Sequence, residues 1–165
     1  MNKFKLRPLE EKDAARMLEW LHDENVTKYL TISGKNSTLE DALRFIRNAK
    51  DESVNIHRAI VDENDCYLGT VSLKNIDAAK KEAEYAITMH PSAMGTGAAS
   101  AASRMIADFA FEEKGFNRVY LNVLRMNERA VRFYDRLGYQ YTHSTHVDFE
   151  GEQRELVWYD VIRKV

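Results

Sequence analysis

The hydrophobic period of this 165-residue chain changes abruptly between Glu82 and Glu113. Glu82–Met89 reads as a strand, whereas Gly97–Glu113 carries Ala98, Ala102, Met105, Ile106 and Phe109 at helical spacing. The stretch between them, Pro91–Gly97 (PSAMGTG), holds one of the chain's two prolines and two of its seven glycines. Pro91 ends the strand because it has no N–H for a ladder. Gly95 and Gly97 free the backbone to turn at once into a helix of small residues. A strand delivered through a tight loop into a helix points to a layered sheet-and-helix domain.

The remaining elements agree. Lys3–Arg7 alternates and is expected to end at Pro8. Glu10–Asp23 sets Ala14, Met17, Leu18 and Leu21 on one helical face, and Thr38 with Asp41 forms a partial capping box for a second helix whose Leu39, Leu43 and Ile46 face inward. Strands follow at Asn55–Val61, Tyr67–Leu73 and Glu82–Met89. Val119–Leu124, apolar on both faces except Asn122, reads as a central strand. Asn127–Arg136 is a short helix closed by Gly138, and strands near Tyr139–Phe149 and Arg154–Ile162 flank a turn at Glu150–Gly151. The order is β-αα-βββ-α-β-α-ββ, an α+β or α/β domain around one mixed sheet.

No repeat or linker divides residues 1–165, so one domain is expected, large enough to bury about 68–70% of its unfolded surface. With 24 Lys+Arg against 26 Asp+Glu the net charge is −2, which argues against nucleic-acid binding driven by bulk charge. A local anion site stays open. The single cysteine, Cys66, excludes an internal disulfide and favours a reducing, cytoplasmic setting. No charge-free stretch of 18 residues is present, so no membrane span is expected.

The glycine loop also has a chemical reading. Two glycines let backbone approach a ligand, and the first amides of a helix are unpaired donors at its positive end, a setting that suits phosphate. A plain, tightly packed strand–helix turn explains the same residues, and Gly-x-Gly alone favours it. The loop is no Walker A, and Ser100 stands where a dinucleotide fingerprint needs its third glycine.

The block Asn117–Tyr139, NRVYLNVLRMNERAVRFYDRLGY, shifts that balance. With its N-x-x-A-x-x-x-Y helix and following Gly138-Tyr139, placed after the strand–Gly-x-Gly–helix unit, the chain resembles the GNAT acetyltransferase superfamily. LRPLEEKDAARMLEWL near the N-terminus is similar to the branch acting on ribosomal-protein N-termini, polyamines and amino sugars. The resemblance implies an α+β fold with a mixed, mostly antiparallel sheet of about seven strands and four helices. It implies acetyl-CoA as cosubstrate without a metal, and direct acetyl transfer to a primary amine.

The resemblance also assigns residues. Backbone around Ile87, Thr88 and Met89 holds the pantetheine arm, and Met94, Gly95, Thr96, Gly97, Ala98 and Ala99 cradle the pyrophosphate. Asn122, Asn127, Ala130 and Phe133 complete the cofactor site. Tyr134 matches the tyrosine serving the leaving sulfur. A phenol of pKa about 10 facing a thiol of about 8.5 acts largely as a hydrogen-bond donor. A lysine-like amine, pKa about 10.4, must also lose a proton. Glu84 matches the glutamate that takes it through water, with Glu82 or water itself as alternatives. The usual loop is Q/R-x-x-G-x-G/A with a basic residue before its first glycine; here Ser92 and Met94 occupy those places. No Lys or Arg lies between Glu82 and Ser103. A non-catalytic acyl-CoA-binding or regulatory domain is therefore the competing reading.

Other residues have plainer roles. His57, His90, His143 and His146 lack metal-ligand spacing, and Cys66 is structural. Arg125, Arg129, Arg132 and Arg136 form a solvated face, with Arg129 or Arg132 at a cofactor phosphate as the sharper alternative. The Thr31–Ser37 loop, the first two helices and the Asp148–Gln153 turn are expected to frame the acceptor. Glu19, Asp23, Glu24, Asp148 and Glu150 read as ordinary helix and turn carboxylates there, with an acidic rim suited to a cationic amine or peptide N-terminus as the sharper alternative. The acceptor is not named by the sequence, and a homodimer is left open.

Overall fold

The computed structural model describes residues 3–30 and 34–163. In chain order it contains β1 (Phe4–Pro8), α1 (Ala14–Leu21), α2 (Glu24–Thr27), α3 (Leu39–Asn48), β2 (Ile56–Asp62), β3 (Tyr67–Asp77) and β4 (Glu82–Met89). Then come α4 (Ala98–Asp108), β5 (Arg118–Leu124), α5 (Glu128–Arg136), β6 (Gln140–Phe149) and β7 (Glu152–Asp160). The strands form one sheet in the order β1–β2–β3–β4–β5–β7–β6. Every neighbouring pair is antiparallel except β4–β5.

That parallel pair is short. Its register runs Glu82–Arg118, Ala83–Val119, Glu84–Tyr120, and stops. Beyond Glu84, β4 stays with β3 as far as Gly69–Met89, and the His90 N–H donates to Leu68 O at 2.7 Å. β5 stays instead with β7 to Leu124–Leu156, and the Arg125 N–H donates to Glu155 O at 3.0 Å. Two half-sheets thus diverge from a common base, leaving Tyr85–Met89 on the edge of a gap.

Two cores cover the sheet. On one face Ala98, Ala102, Ile106 and Ala110 pack against Ile60, Val71, Leu73, Tyr85, Val119, Leu121 and Val157. This core spans both half-sheets, because Ala83 and Tyr85 on β4 and Val119 and Leu121 on β5 point the same way. On the other face α1 and α3 place Met17, Trp20, Ala42 and Ile46 against Ala59, Val61 and Tyr67, on β2 and β3 only. Trp20 Nε1 donates to Tyr67 Oη at 3.0 Å, which satisfies a buried indole.

Several expectations need correction. Among the described residues five α-helices are present rather than four, because Asp23 accepts from Asn25 N–H and starts the additional short α2. The first helix breaks into a 3-10 turn at Glu11–Asp13 before α1. The Gly97–Glu113 helix becomes a π-turn from Phe109 to Glu113, with Lys114 N–H bonded to Phe109 O. Leu39 is 49% exposed; Ala42 and Ile46, one α-turn apart, form the buried stripe of α3, and Leu43 packs against the same core as expected. Pro8 stays in β1 opposite Arg58, which an edge strand tolerates. Thr31–Ser33, the first part of the expected acceptor loop, lies outside the described residues. Among the described residues no helix is long and apolar enough to cross a membrane.

The start of the chain is tied down electrostatically. Arg7 Nη1 and Nη2 each donate to Asp13 at 2.8 Å, and Arg7 Nε donates to Asp65 at 2.7 Å. Asp13 is only 2% exposed and also accepts from Glu10 N–H. Lys12 and Arg7 together hold the Asp65 carboxyl down at about 2. Asp65 therefore adds stability above the ordinary carboxyl range near pH 3.9, and this is lost as pH falls toward 2. Asp13→Ala should cost about 3 kcal/mol in urea unfolding, because it strands part of a buried guanidinium. A loss under 1 kcal/mol would show that Asp65 alone suffices for Arg7.

Candidate active site

Backbone direction along the gap follows from two hydrogen bonds. The His90 N–H points at β3, so Thr88 does too, and the N–H and C=O groups of Ile87 and Met89 face the gap. Across it, the Val119 carbonyl accepts from Val161 N–H at 2.8 Å, on the β7 side. Tyr120 and Asn122 therefore turn their backbone groups toward β4. Among the described residues no strand completes this part of either ladder, so a row of polar backbone groups awaits partners.

The loop beyond β4 is held from its first residues. Buried His90 accepts at Nδ1 from Ser92 N–H at 3.0 Å, and its Nε2 lies 2.7 Å from Glu19. Since Nδ1 accepts, the proton sits on Nε2 and donates to Glu19. Arg16 donates from Nε to Tyr67 O at 2.7 Å and from Nη2 to Ser92 Oγ at 2.9 Å. Gly95 and Gly97 have φ of +77° and +86°, and Gly97 caps α4. Thr96 Oγ1 accepts from Ala98 N–H at 3.3 Å. Among the described residues the amides of Gly95, Gly97, Ala99 and Ser100 have no backbone or side-chain acceptor. They form a cluster of donors at a helix start.

Asn127 accepts from Ala130 N–H at 3.3 Å and so caps α5. That helix sends Tyr134 into the main core, where it is 8% exposed. Its ring lies 5.9 Å from that of Tyr85, the first β4 residue past the last pair, and 6.0 Å from Tyr159 on β7. Tyr134 thus reaches under the divergence, with Phe133 5.3 Å away and Ala130 packed on the same core. Burial, and then the neighbouring Tyr139, raise its phenol well above the ordinary tyrosine value. It therefore stays protonated throughout the neutral range.

Glu84 lies elsewhere. Ala83 and Tyr85 point into the core beneath α4, so Glu82 and Glu84 leave the opposite face. Glu84 sits 3.7 Å from Lys74, and Glu82 sits 3.7 Å from Arg118. Charge pairing does not separate the two, but position does: Glu84 belongs to the last pair before the gap, with Tyr120 across from it. Burial, with the charges of Glu84 and Glu82, raises the Tyr120 phenol. Glu84 and Tyr134 hence flank the base of the gap from opposite faces.

The structure gathers Ile87, Met89 and Asn122 along the gap and Met94–Ala99 at its outer end, whereas the Thr88 backbone, expected to hold the arm, is taken by the ladder to β3. The first turn of α5 touches that loop, since Arg129 Nη2 lies 2.8 Å from Met94 Sδ. The supports from Arg16, Glu19 and His90 were missed. They join residues up to 76 positions apart, and no local pattern announces such contacts.

Residues 3–140 match the acetyltransferase (GNAT) domain family, so the chain belongs to the GNAT acetyltransferases and is an N-acetyltransferase. The expectation carried by Asn127–Tyr139 holds. The chain is 27% identical over 135 residues to spermidine N(1)-acetyltransferase of Escherichia coli (strain K12), covering 82% of this chain and 72% of that one. It is 25% identical over 169 residues to YdaF of Bacillus subtilis (strain 168), provisionally named for ribosomal N-acetylation, covering 96% and 91%. Its fold is that of spermidine N-acetyltransferase from Vibrio cholerae, solved with CoA and spermine, at TM-score 0.86 and 19% identity over 96% of this chain and 95% of that one.

A side chain at Gly97 would meet nothing within 4 Å, so substitution there acts through backbone strain rather than crowding. Gly97→Ala should lower stability by about 1 kcal/mol, and Gly97→Asn by less, because asparagine tolerates the left-handed region better. Equal melting of both variants and the parent would contradict this.

Proposed function

We propose that this chain moves the acetyl group of acetyl-CoA directly to a primary amine of a small aliphatic polycation of the spermidine type. The observation that carries the reading is the arrest of β4–β5 pairing at Glu84–Tyr120, with unpaired amides on the β4 edge and at the loop beyond. Those groups fit an elongated amide-containing arm that ends in phosphates. Ile87 and Met89 would bind the arm, and the amides of Gly95, Gly97, Ala99 and Ser100 the pyrophosphate. Asn122, Asn127, Ala130 and Phe133 would border it. The bound thioester supplies an activated acetyl group.

The chain's own residues then have divided tasks. The gap-facing amides are positioned to stabilise negative charge developing on the carbonyl oxygen. Tyr134, kept protonated by burial, donates toward the departing sulfur from the face of α5. Glu84 accepts the amine's proton from the other face, directly or through water. With acid and base on opposite sides of one opening, protons leave the nitrogen and reach the sulfur without crossing the sheet. The polycation is supported by the spermidine acetyltransferase relative and by an open face bearing Glu84, Tyr120 and Trp158.

Saturating acetyl-CoA at a hundred times its Kd should add about 2.7 kcal/mol, raising Tm by roughly 5–11 °C. Thiol release should be fastest with spermidine or spermine in a panel that includes glucosamine and a peptide N-terminus. No shift at millimolar acetyl-CoA would overturn the reading; a shift with no thiol release on any amine would leave a binding domain.

Tyr134→Phe should lower kcat about 100-fold while CoA affinity stays within about twofold of the parent. Unaltered turnover would remove Tyr134 from the chemistry.

A further inference from the structure

The loop assigned to the phosphates carries no cation of its own, since no Lys or Arg occurs between Glu82 and Ser103. A cation arrives from another helix. Arg129, in the first turn of α5, places Nη2 2.8 Å from the sulfur of Met94, the residue just before Gly95. A thioether is a weak acceptor and carries no charge, so this contact parks the guanidinium without neutralising it. Arg125 has Glu155 at 2.8 Å and Arg132 has Glu128 at 3.9 Å. Arg129 has no carboxylate partner among the described residues.

Resting on the acetyl-CoA reading above, we propose that Arg129 is a phosphate ligand of the cofactor, supplying from α5 the charge that the loop lacks. Its planar fork can grip a phosphoryl group in two-point fashion, and the unpaired amides of Gly95 and Gly97 follow immediately after Met94. Exchanging a sulfur contact for a phosphate breaks no ion pair. The arrangement also links the two ends of the site: Asn127, which caps α5, fixes the turn from which Arg129 projects. Cofactor grip and the placement of Tyr134 thereby depend on one helix.

The test is calorimetric binding of CoA, independent of turnover, at about 50 and about 300 mM NaCl, where screening differs strongly. Arg129→Ala should bind CoA about tenfold more weakly at low salt, with a smaller difference at high salt. Arg129→Lys should fall between it and the parent, having charge without the fork. Arg132→Ala, on the same helix, serves as the control for bulk charge and should bind like the parent. Placing a cation on the loop itself, Met94→Lys in the Arg129→Ala background, should restore most of the affinity.

Dephospho-CoA separates the two phosphate sources. If the Arg129→Ala loss persists with it, the pyrophosphate is the partner; if the loss vanishes, the 3′-phosphate is. Equal CoA affinity of Arg129→Ala and parent at both salt concentrations would overturn the proposal while leaving the acetyl-CoA reading intact. A parent protein that fails to bind CoA would overturn both.

Discussion

Three residue pairs, Glu82–Glu84 with Arg118–Tyr120, carry the join between two half-sheets, and the rest of the site follows from their being only three. β4 obeys β3 to its end because the last β3–β4 contact is a short bond from His90 to Leu68, and His90 is itself fixed by Ser92 and Glu19. β5 obeys β7, to which it stays paired through Leu124. Each half-sheet satisfies its own ladder, and the inner edges between them are left unsatisfied. The same competition that opens the gap therefore lines it with donors and acceptors.

Division of labour between faces follows from that opening. The main core runs beneath both halves and delivers Tyr134 to the divergence, where burial keeps its proton on. The opposite face is covered only over β2 and β3, so Glu84, Tyr120 and Trp158 lie beyond the shelter of α1 and α3. In the mechanism proposed above, acid chemistry and cofactor contact take the dry side and amine approach the open one. Placing both groups on a single face would put a carboxylate into the apolar core, where its charge is costly.

Legibility in the sequence tracks the range of the interaction. Asn127 and Gly97 at helix starts and the Thr38–Asp41 box are signalled within a few residues and stand as expected; the structure adds that Asn127 caps α5 and that Gly97 is left-handed. Glu82–Met89 stands with the bounds expected, Pro91 following two residues beyond its end. The π-turn at Phe109–Glu113 is not legible, since an apolar helix pattern does not reveal where one extra residue is accommodated. The arrest of β4–β5 pairing is invisible in the residues themselves, because strand pairing depends on which neighbour competes for each edge. Arg129 is the sharpest case. Its helix face looks uniformly solvated, and only a contact spanning 35 positions distinguishes it from Arg132.

The unequal cladding of the sheet also sets how the molecule can flex. A change in angle between the half-sheets must pivot about the three shared pairs. On one face it would have to pull Ile106 and its neighbours off residues belonging to both halves. On the other, no helix among the described residues bridges the two, and α1 and α3 would ride with β2 and β3 as one body. Any such flexing would keep its spine inside the main core and open toward the face that carries Glu84.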